Sequence, residues 1–282
     1  MSARHVRSFP HRHAPGPAEL GQNLLVDRAV VAAIVDNVRE GRDPLVEWAA
    51  GDGAVTRELA RLDRPLEAVE IDTRRIAVLR RRVGPHVAIT HGDILRHAPP
   101  AGPHDVVCNV PFHLTTPVLR RLLRLPHWGT AVLLTQWEVA RKRAGVGGAT
   151  QLTAQWWPWF DFRLVRRVPA AAFSPRPAVD GGLLVVCRRS HPLVAERDPY
   201  QHWVRAVFTG PGRGLPAVLA AAGWDRRAAA AWCRAEGLGP RALPRDLTAG
   251  QWAAAYRLSR AGQDRAPEDA QRHRRDPPRY RR

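Results

Sequence analysis

Asn109-Val110-Pro111-Phe112 is the stretch whose residue types fit a reaction. Asn109 brings an amide oxygen that accepts and an amide nitrogen that donates. Pro111 fixes its own φ and keeps Val110 extended by steric clash, so the Val110 carbonyl has a preset direction. Phe112 adds a flat apolar face. Two acceptors beside an aromatic plate suit a planar substrate with an exocyclic amino group, such as a base flipped out of its stack. A strand end, a turn proline and a core Phe would produce the same four letters, so the weight rests on what positions them.

The apolar run Val106-Val107-Cys108 reads as a buried strand that delivers Asn109, and Val118 to Leu125 reads as the helix that follows. Strand ends of this kind are where open α/β sheets bind ligands. Upstream, Pro44 to Ala49 reads as a first strand running into Gly51-Asp52-Gly53, with a helix over 54–62. Strand, glycine-rich turn, helix opens a nucleotide-binding βαβ unit, although a lone GxG is weak. A second strand over 66–71 ends in Glu70-Ile71-Asp72. Glu70 lies about 20 residues past the turn, where such folds place an acid on a ribose. Asp72 is expected to cap the helix over 73–83. A third strand over 87–90 leads to Gly92-Asp93-Ile94, where Asp93 could accept from an adenine amino group or simply hold a turn. Three consecutive strand ends thus each offer a polar group to one adenosine-like ligand.

A fifth strand is expected over 131–136, followed by a basic loop opening with Arg141-Lys142-Arg143 that either touches phosphate or is a solvated helix end. Trp156, Trp157, Trp159 and Phe160 read mainly as core. Residues 162–168 and 182–186 read as an antiparallel hairpin of the same sheet, and Phe173-Ser174-Pro175-Arg176-Pro177 between them as a stiff loop presenting Phe173. Asp27 can cap a helix over 30–38. After about residue 190 the pattern turns helical, over 200–208, 216–222, 226–235 and 249–258, with Gly and Pro between. The expected organisation is a basic, mobile arm over 1–18, an α/β domain over 19–190, a helical domain over 191–259 and a disordered arginine-rich tail over 260–282.

The 282 residues carry 44 basic against 26 acidic side chains, a formal charge of +18. The arm holds +3 and the tail +4, which leaves +11 between them. That excess points to a polyanionic partner, nucleic acid before membrane. Lys142 is the only lysine, a skew that GC-rich coding explains as readily as function. No apolar run is long enough to span a bilayer and no secretory leader is evident. Cys108, Cys187 and Cys233 are scattered and odd in number, as for free thiols in a reducing compartment, with no metal-ligand spacing.

Taken in order, these motifs resemble the rRNA adenine N6-methyltransferases, most closely the erythromycin-resistance (Erm) methyltransferases of 23S rRNA. The likeness runs from about Gln22 into the helical segments. Gln22-Asn23-Leu24-Leu25 is similar to the Q-N-F-L segment beside the methionine end of S-adenosylmethionine. EWAAGDGAVT, from Glu47 to Thr56, is similar to the E-x-G-x-G-x-G cofactor loop, with Ala49 in place of its first glycine. Asn109 to Phe112 is similar to the catalytic N-[IL]-P-[YF], and FSPRPAVD to the loop whose aromatic, here Phe173, faces the target base.

The resemblance implies a Rossmann-like S-adenosylmethionine-dependent methyltransferase domain with a small C-terminal helical domain that binds RNA. It implies Asn109, Val110, Pro111, Phe112 and Phe173 at the base. It implies Gln22, Asn23, Leu25, Glu47, Ala49, Gly51, Gly53, Glu70, Ile71, Asp93, Ile94 and Asn109 at the cofactor, and no metal. The implied partner is 23S rRNA, methylated once or twice at one adenine by a cytoplasmic monomer, with macrolide-type resistance as the outcome. The small-subunit rRNA dimethyltransferases share the cofactor motifs and are the alternative enzyme. A non-catalytic nucleic-acid-binding relative is the alternative of another kind. The WEVARKRAG segment and the arginine-rich tail favour the resistance branch.

Overall fold

The computed structural model describes residues 23–239 and 241–273, and the basic arm and Gln22 lie outside the described residues. A seven-stranded sheet is built from β2 (Leu45–Trp48), β3 (Leu66–Glu70), β4 (Val87–His91), β5 (His104–Asn109), β6 (Trp128–Gln136), β7 (Phe160–Val168) and β9 (Gly181–Arg188). Its order is β4-β3-β2-β5-β6-β9-β7. Pairings from β4 through β6 are parallel, whereas β9 runs antiparallel to both β6 and β7. The expected hairpin is present, but its second strand inserts between β6 and the first. A separate two-stranded ribbon joins β1 (Leu24–Leu25) to β8 (Phe173–Ser174), an element with no local signal in the sequence.

Parallel strands covered on both faces should be apolar along their middle, and the centre of β5 shows it: Val106 and Cys108 face one core while Val107 faces the other. In β2, Leu45 and Val46 divide in the same way. One face is covered by α1 (Arg28–Asp36) and α2 (Thr56–Leu59), the other by α4 (Thr115–Leu122) and α5 (Trp137–Arg143). Asp27 caps α1 by accepting from Ala29 N and Val30 N, and Asp72 caps α3 (Thr73–Arg82) by accepting from Arg74 N, both as expected. The helix expected over 54–62 is an α turn followed by a 3-10 turn, Ala60–Leu62, which ends where Asp63 enters the left-handed region at φ 52°.

A third core gathers α6 (Gln151–Trp156), α7 (Arg197–Thr209), α8 (Leu215–Ala221), α9 (Arg226–Ala235) and α10 (Ala249–His273) around buried Tyr200, Trp203 and Trp252. Two expectations need correction. Arg141, Lys142 and Arg143 close α5, the helix-end alternative, and the glycine-rich loop begins after them and not with them. Residues 260–273, expected to be disordered, continue α10. Ala, Gln, Glu and Arg in that stretch are strong helix formers, and neither the dense charge nor Pro267 outweighs them. The rest of the tail lies outside the described residues.

Candidate active site

The sheet reverses its winding between β2 and β5, and the loops after those two strands open the crevice that such a switch point creates. After β2 the chain turns through Ala49, Gly51 and Gly53 at φ of 58°, 57° and 83°. A Cβ on Gly53 would stand 2.7 Å from Leu79 Cδ1, so only glycine lets α3 pack this close. Ala49 takes the same left-handed region with a methyl in place, at a cost of about 1 kcal/mol. The loop rests on Trp48, which is fully buried and donates Nε1–H to His97 Nδ1 at 3.3 Å. An indole N–H can only donate, so the neutral ring carries its proton on Nε2, facing Glu67 Oε1 at 3.0 Å.

Glu70, at the end of β3, is 1% exposed. Its Oε2 accepts from Gly51 N at 2.7 Å, and its Oε1 accepts from Ile71 N and Asp72 N, both at 2.9 Å. These bonds aim the carboxylate at the loop while lone pairs remain for a ligand. Ile71 beside it is exposed. Glu47, on β2, is buried, and its Oε2 has no hydrogen-bond partner among the described residues. Burial, reinforced by the nearby Glu70 charge, pushes its carboxyl up to about 8.

Asn109 ends β5 with its amide pinned: Nδ2 donates to Asn23 O at 3.0 Å. A carbonyl can only accept, so the NH2 must face Asn23, and Oδ1 has no donor among the described residues. Val110 N donates to Leu134 O, holding the turn to β6, and no donor among the described residues reaches Val110 O. Pro111 has φ −54° and ψ 124°. Thr115 Oγ1 donates to Phe112 O and lies 2.9 Å from Thr135 Oγ1, fixing the turn that carries Phe112. Asn23, Leu24, Ala49, Gly51, Glu70 and Asn109 through Phe112 line one niche. It opens past Leu24 into a larger cleft of about 860 Å³ that includes Glu47, Ala49, Gly51 and Leu25.

The structure therefore brings together Asn23, Leu25, Glu47, Ala49, Gly51, Glu70 and Asn109 to Phe112. It does not bring the other expected residues to these walls. Phe173 is 3% exposed and meets Phe112 edge-on, ring centres 6.0 Å apart at 73°. It belongs to the core because its strand pairs with Leu25, so its expected place facing the base is corrected to one behind Phe112. Ile94 is likewise packed in the core. Gly53 is buried beneath the loop, and Asp93 uses Oδ1 to accept from Leu95 N at 2.8 Å, in the turn role. Leu24, Thr115 and Thr135 were not singled out. The β1–β8 pairing that places Leu24 has no local signature, and a Thr-Thr pair from two elements has none either. Among the described residues no cluster of three metal-ligating side chains occurs, and no helix is long and apolar enough to cross a membrane.

Residues 16–258 match the family described as ribosomal RNA adenine dimethylase. The mycinamicin-resistance protein MyrB of Micromonospora griseorubida is 53% identical over 248 residues, covering 87% of this chain and 79% of that protein. An rRNA adenine N-6-methyltransferase of Corynebacterium diphtheriae is 45% identical over 72% of this chain and 82% of its own length. Among solved structures, the 23S rRNA methyltransferase ErmE superposes with a TM-score of 0.77 at 32% identity, covering 83% of this chain and 98% of that one.

Proposed function

The chain belongs to the ribosomal RNA adenine dimethylase family, and from that premise we propose that it methylates the N6 amino nitrogen of one adenine in 23S rRNA, with S-adenosylmethionine as donor and macrolide-type resistance as the result. The observation that carries this reading is the pinned amide of Asn109. Its free Oδ1 stands beside the unclaimed Val110 carbonyl in a niche that Glu70 also lines. Those two acceptors take the two N–H groups of an adenine amine. The nitrogen is thereby made more pyramidal, and its lone pair, otherwise delocalised into the ring, is localised on the side facing the methyl donor. Phe112 supplies the stacking face, and Pro111 keeps the Val110 carbonyl aimed.

The cleft suits the donor. Glu47 leaves a buried carboxyl oxygen without a partner among the described residues, which matches a cationic ammonium, and Glu70 retains lone pairs for ribose hydroxyls; outside these walls, Ile71 is exposed for an adenine face and Asp93 keeps Oδ2 for its amino group, for a donor that extends past Glu70. When bound, S-adenosylmethionine supplies a methyl group already activated on a sulfonium. The chain's own task is then positioning, which accounts for a large share of such barriers. No side chain need act as a strong base, because the amine proton becomes acidic once the new N–C bond forms and passes to water.

Mass spectrometry of 23S rRNA from cells expressing the protein tests the reading. One methylated adenine is expected with the native chain and none with Asn109→Ala, whose cofactor affinity by calorimetry should stay within about threefold, as expected for loss of one contact of ~0.5 kcal/mol. Near-normal methylation by that variant would remove Asn109 from the chemistry.

A further inference from the structure

The 860 Å³ cleft does not end at the cofactor loop; it continues between α1 and α2. Its floor there is apolar, formed by Val26, Val31, Val35 and Val55, and Val26 is 57% exposed. Its rim is basic: Arg28 and Arg39 from α1 and the turn after it, Arg57 and Arg61 from α2 and the 3-10 turn after it, and Arg82 from α3, all exposed. Three of these are partly neutralised, Arg39 by Asp36 at 2.9 Å, Arg61 by Glu58 at 2.5 Å and Arg82 by Asp52 at 3.9 Å. Arg28 and Arg57 form no ion pair among the described residues. Glu47 lies at the inner end, away from this rim.

We infer that this α1–α2 groove binds the single-stranded RNA that flanks the target adenine, with Arg28 and Arg57 on its phosphates and the valine floor against an unstacked base. This rests on the proposed function and adds to it a site outside the reaction niche. An apolar floor under a guanidinium rim is complementary to a nucleotide strand, one face of which is anionic and the other flat and apolar. A lone ligand carboxylate would need one arginine, not two free ones on separate helices. The N-terminal segment, with Arg4, Arg7 and Arg12 and no acid before Glu19, is of like charge to the rim and makes a poor occupant for it.

The test uses the full-length chain with Arg28→Gln and Arg57→Gln combined, two exposed substitutions. An rRNA hairpin carrying the target adenine in a single-stranded segment is titrated by fluorescence anisotropy across a salt series. Each phosphate contact on single-stranded nucleic acid contributes about 0.7 to the slope of log affinity against log salt. The double variant should therefore lose about 1.4 in slope and roughly tenfold in affinity at low salt, with unchanged S-adenosylmethionine affinity by calorimetry. An unchanged slope would overturn the inference. So would a fall in cofactor affinity with RNA binding intact, which would make the groove the seat of the methionine carboxylate. A native chain that binds no such hairpin would sink the proposed function itself, a result separate from either.

Discussion

At the scale of single residues, Glu47 and Asn109 show opposite solutions to burying a polar group. Asn109 donates through its amide nitrogen to Asn23 O, while its amide oxygen has no donor among the described residues. Glu47 is left with an orphan oxygen and responds by holding its proton up to about pH 8. The sign of the consequence is fixed. The folded chain keeps a proton that the unfolded chain loses near 4.5, so Glu47 lowers stability progressively as pH rises from about 4.5 to about 8, by at most ~1.4 kcal/mol per pH unit. Glu47→Gln should flatten that part of the profile. Urea midpoints for both proteins at pH 5.5 and 8.5 check it; parallel losses in the two would show that Glu47 is not the titrating group. Ala49 could not be judged from sequence in the same way. Its place in the cofactor loop was evident, but whether the added methyl is strained depends on φ, which only the folded backbone reveals.

At the scale of elements, the ribbon of β1 and β8 ties the site together. Asn23, at its edge, orients the Asn109 amide, and Phe173, on its other strand, buttresses Phe112. Phe173 then acts through Phe112. Phe173→Leu should keep the cavity filled while removing an edge-on aromatic pair worth about 0.5–1.5 kcal/mol. The expected outcome is a roughly two- to tenfold drop in kcat, with KM for the RNA hairpin and cofactor affinity unchanged. A rise in KM with kcat intact would place Phe173 on the base after all. The strands, most helices and the Asp27 and Asp72 caps were legible because hydrophobic period and cap chemistry are local, whereas the order of the strands in the sheet was not. The ribbon was not, because its halves lie far apart in sequence and each is only two residues long. For the same reason Phe173 was expected at the surface of the pocket: a Pro-rich loop reads as exposed until its strand partner is known.

At the scale of the whole molecule, α6, which leads into β7 of the sheet, is fastened to α7 by polar contacts as well as by aromatic packing. Tyr200 donates its hydroxyl to Ala154 O at 2.9 Å, and Gln155 and Gln201 each donate to the other's backbone carbonyl at 3.0 and 3.1 Å. Tyr200→Phe removes one such bond and leaves a buried carbonyl less satisfied, a loss of about 1–2 kcal/mol. Far-UV circular dichroism and tryptophan fluorescence should still report one coincident unfolding transition, at lower urea; separated transitions would mean that the two cores fold independently. The charge excess was readable from composition, whereas the meeting of Arg28 and Arg57 along one groove needed the packing of α1 against α2. The insertion of β9 between β6 and β7 has a consequence for synthesis. Until residues 181–188 have left the ribosome, β7 has no neighbour to pair with and β6 keeps an open edge. That flank of the sheet therefore closes only when its last strand in the sequence takes the inner place between two strands made before it.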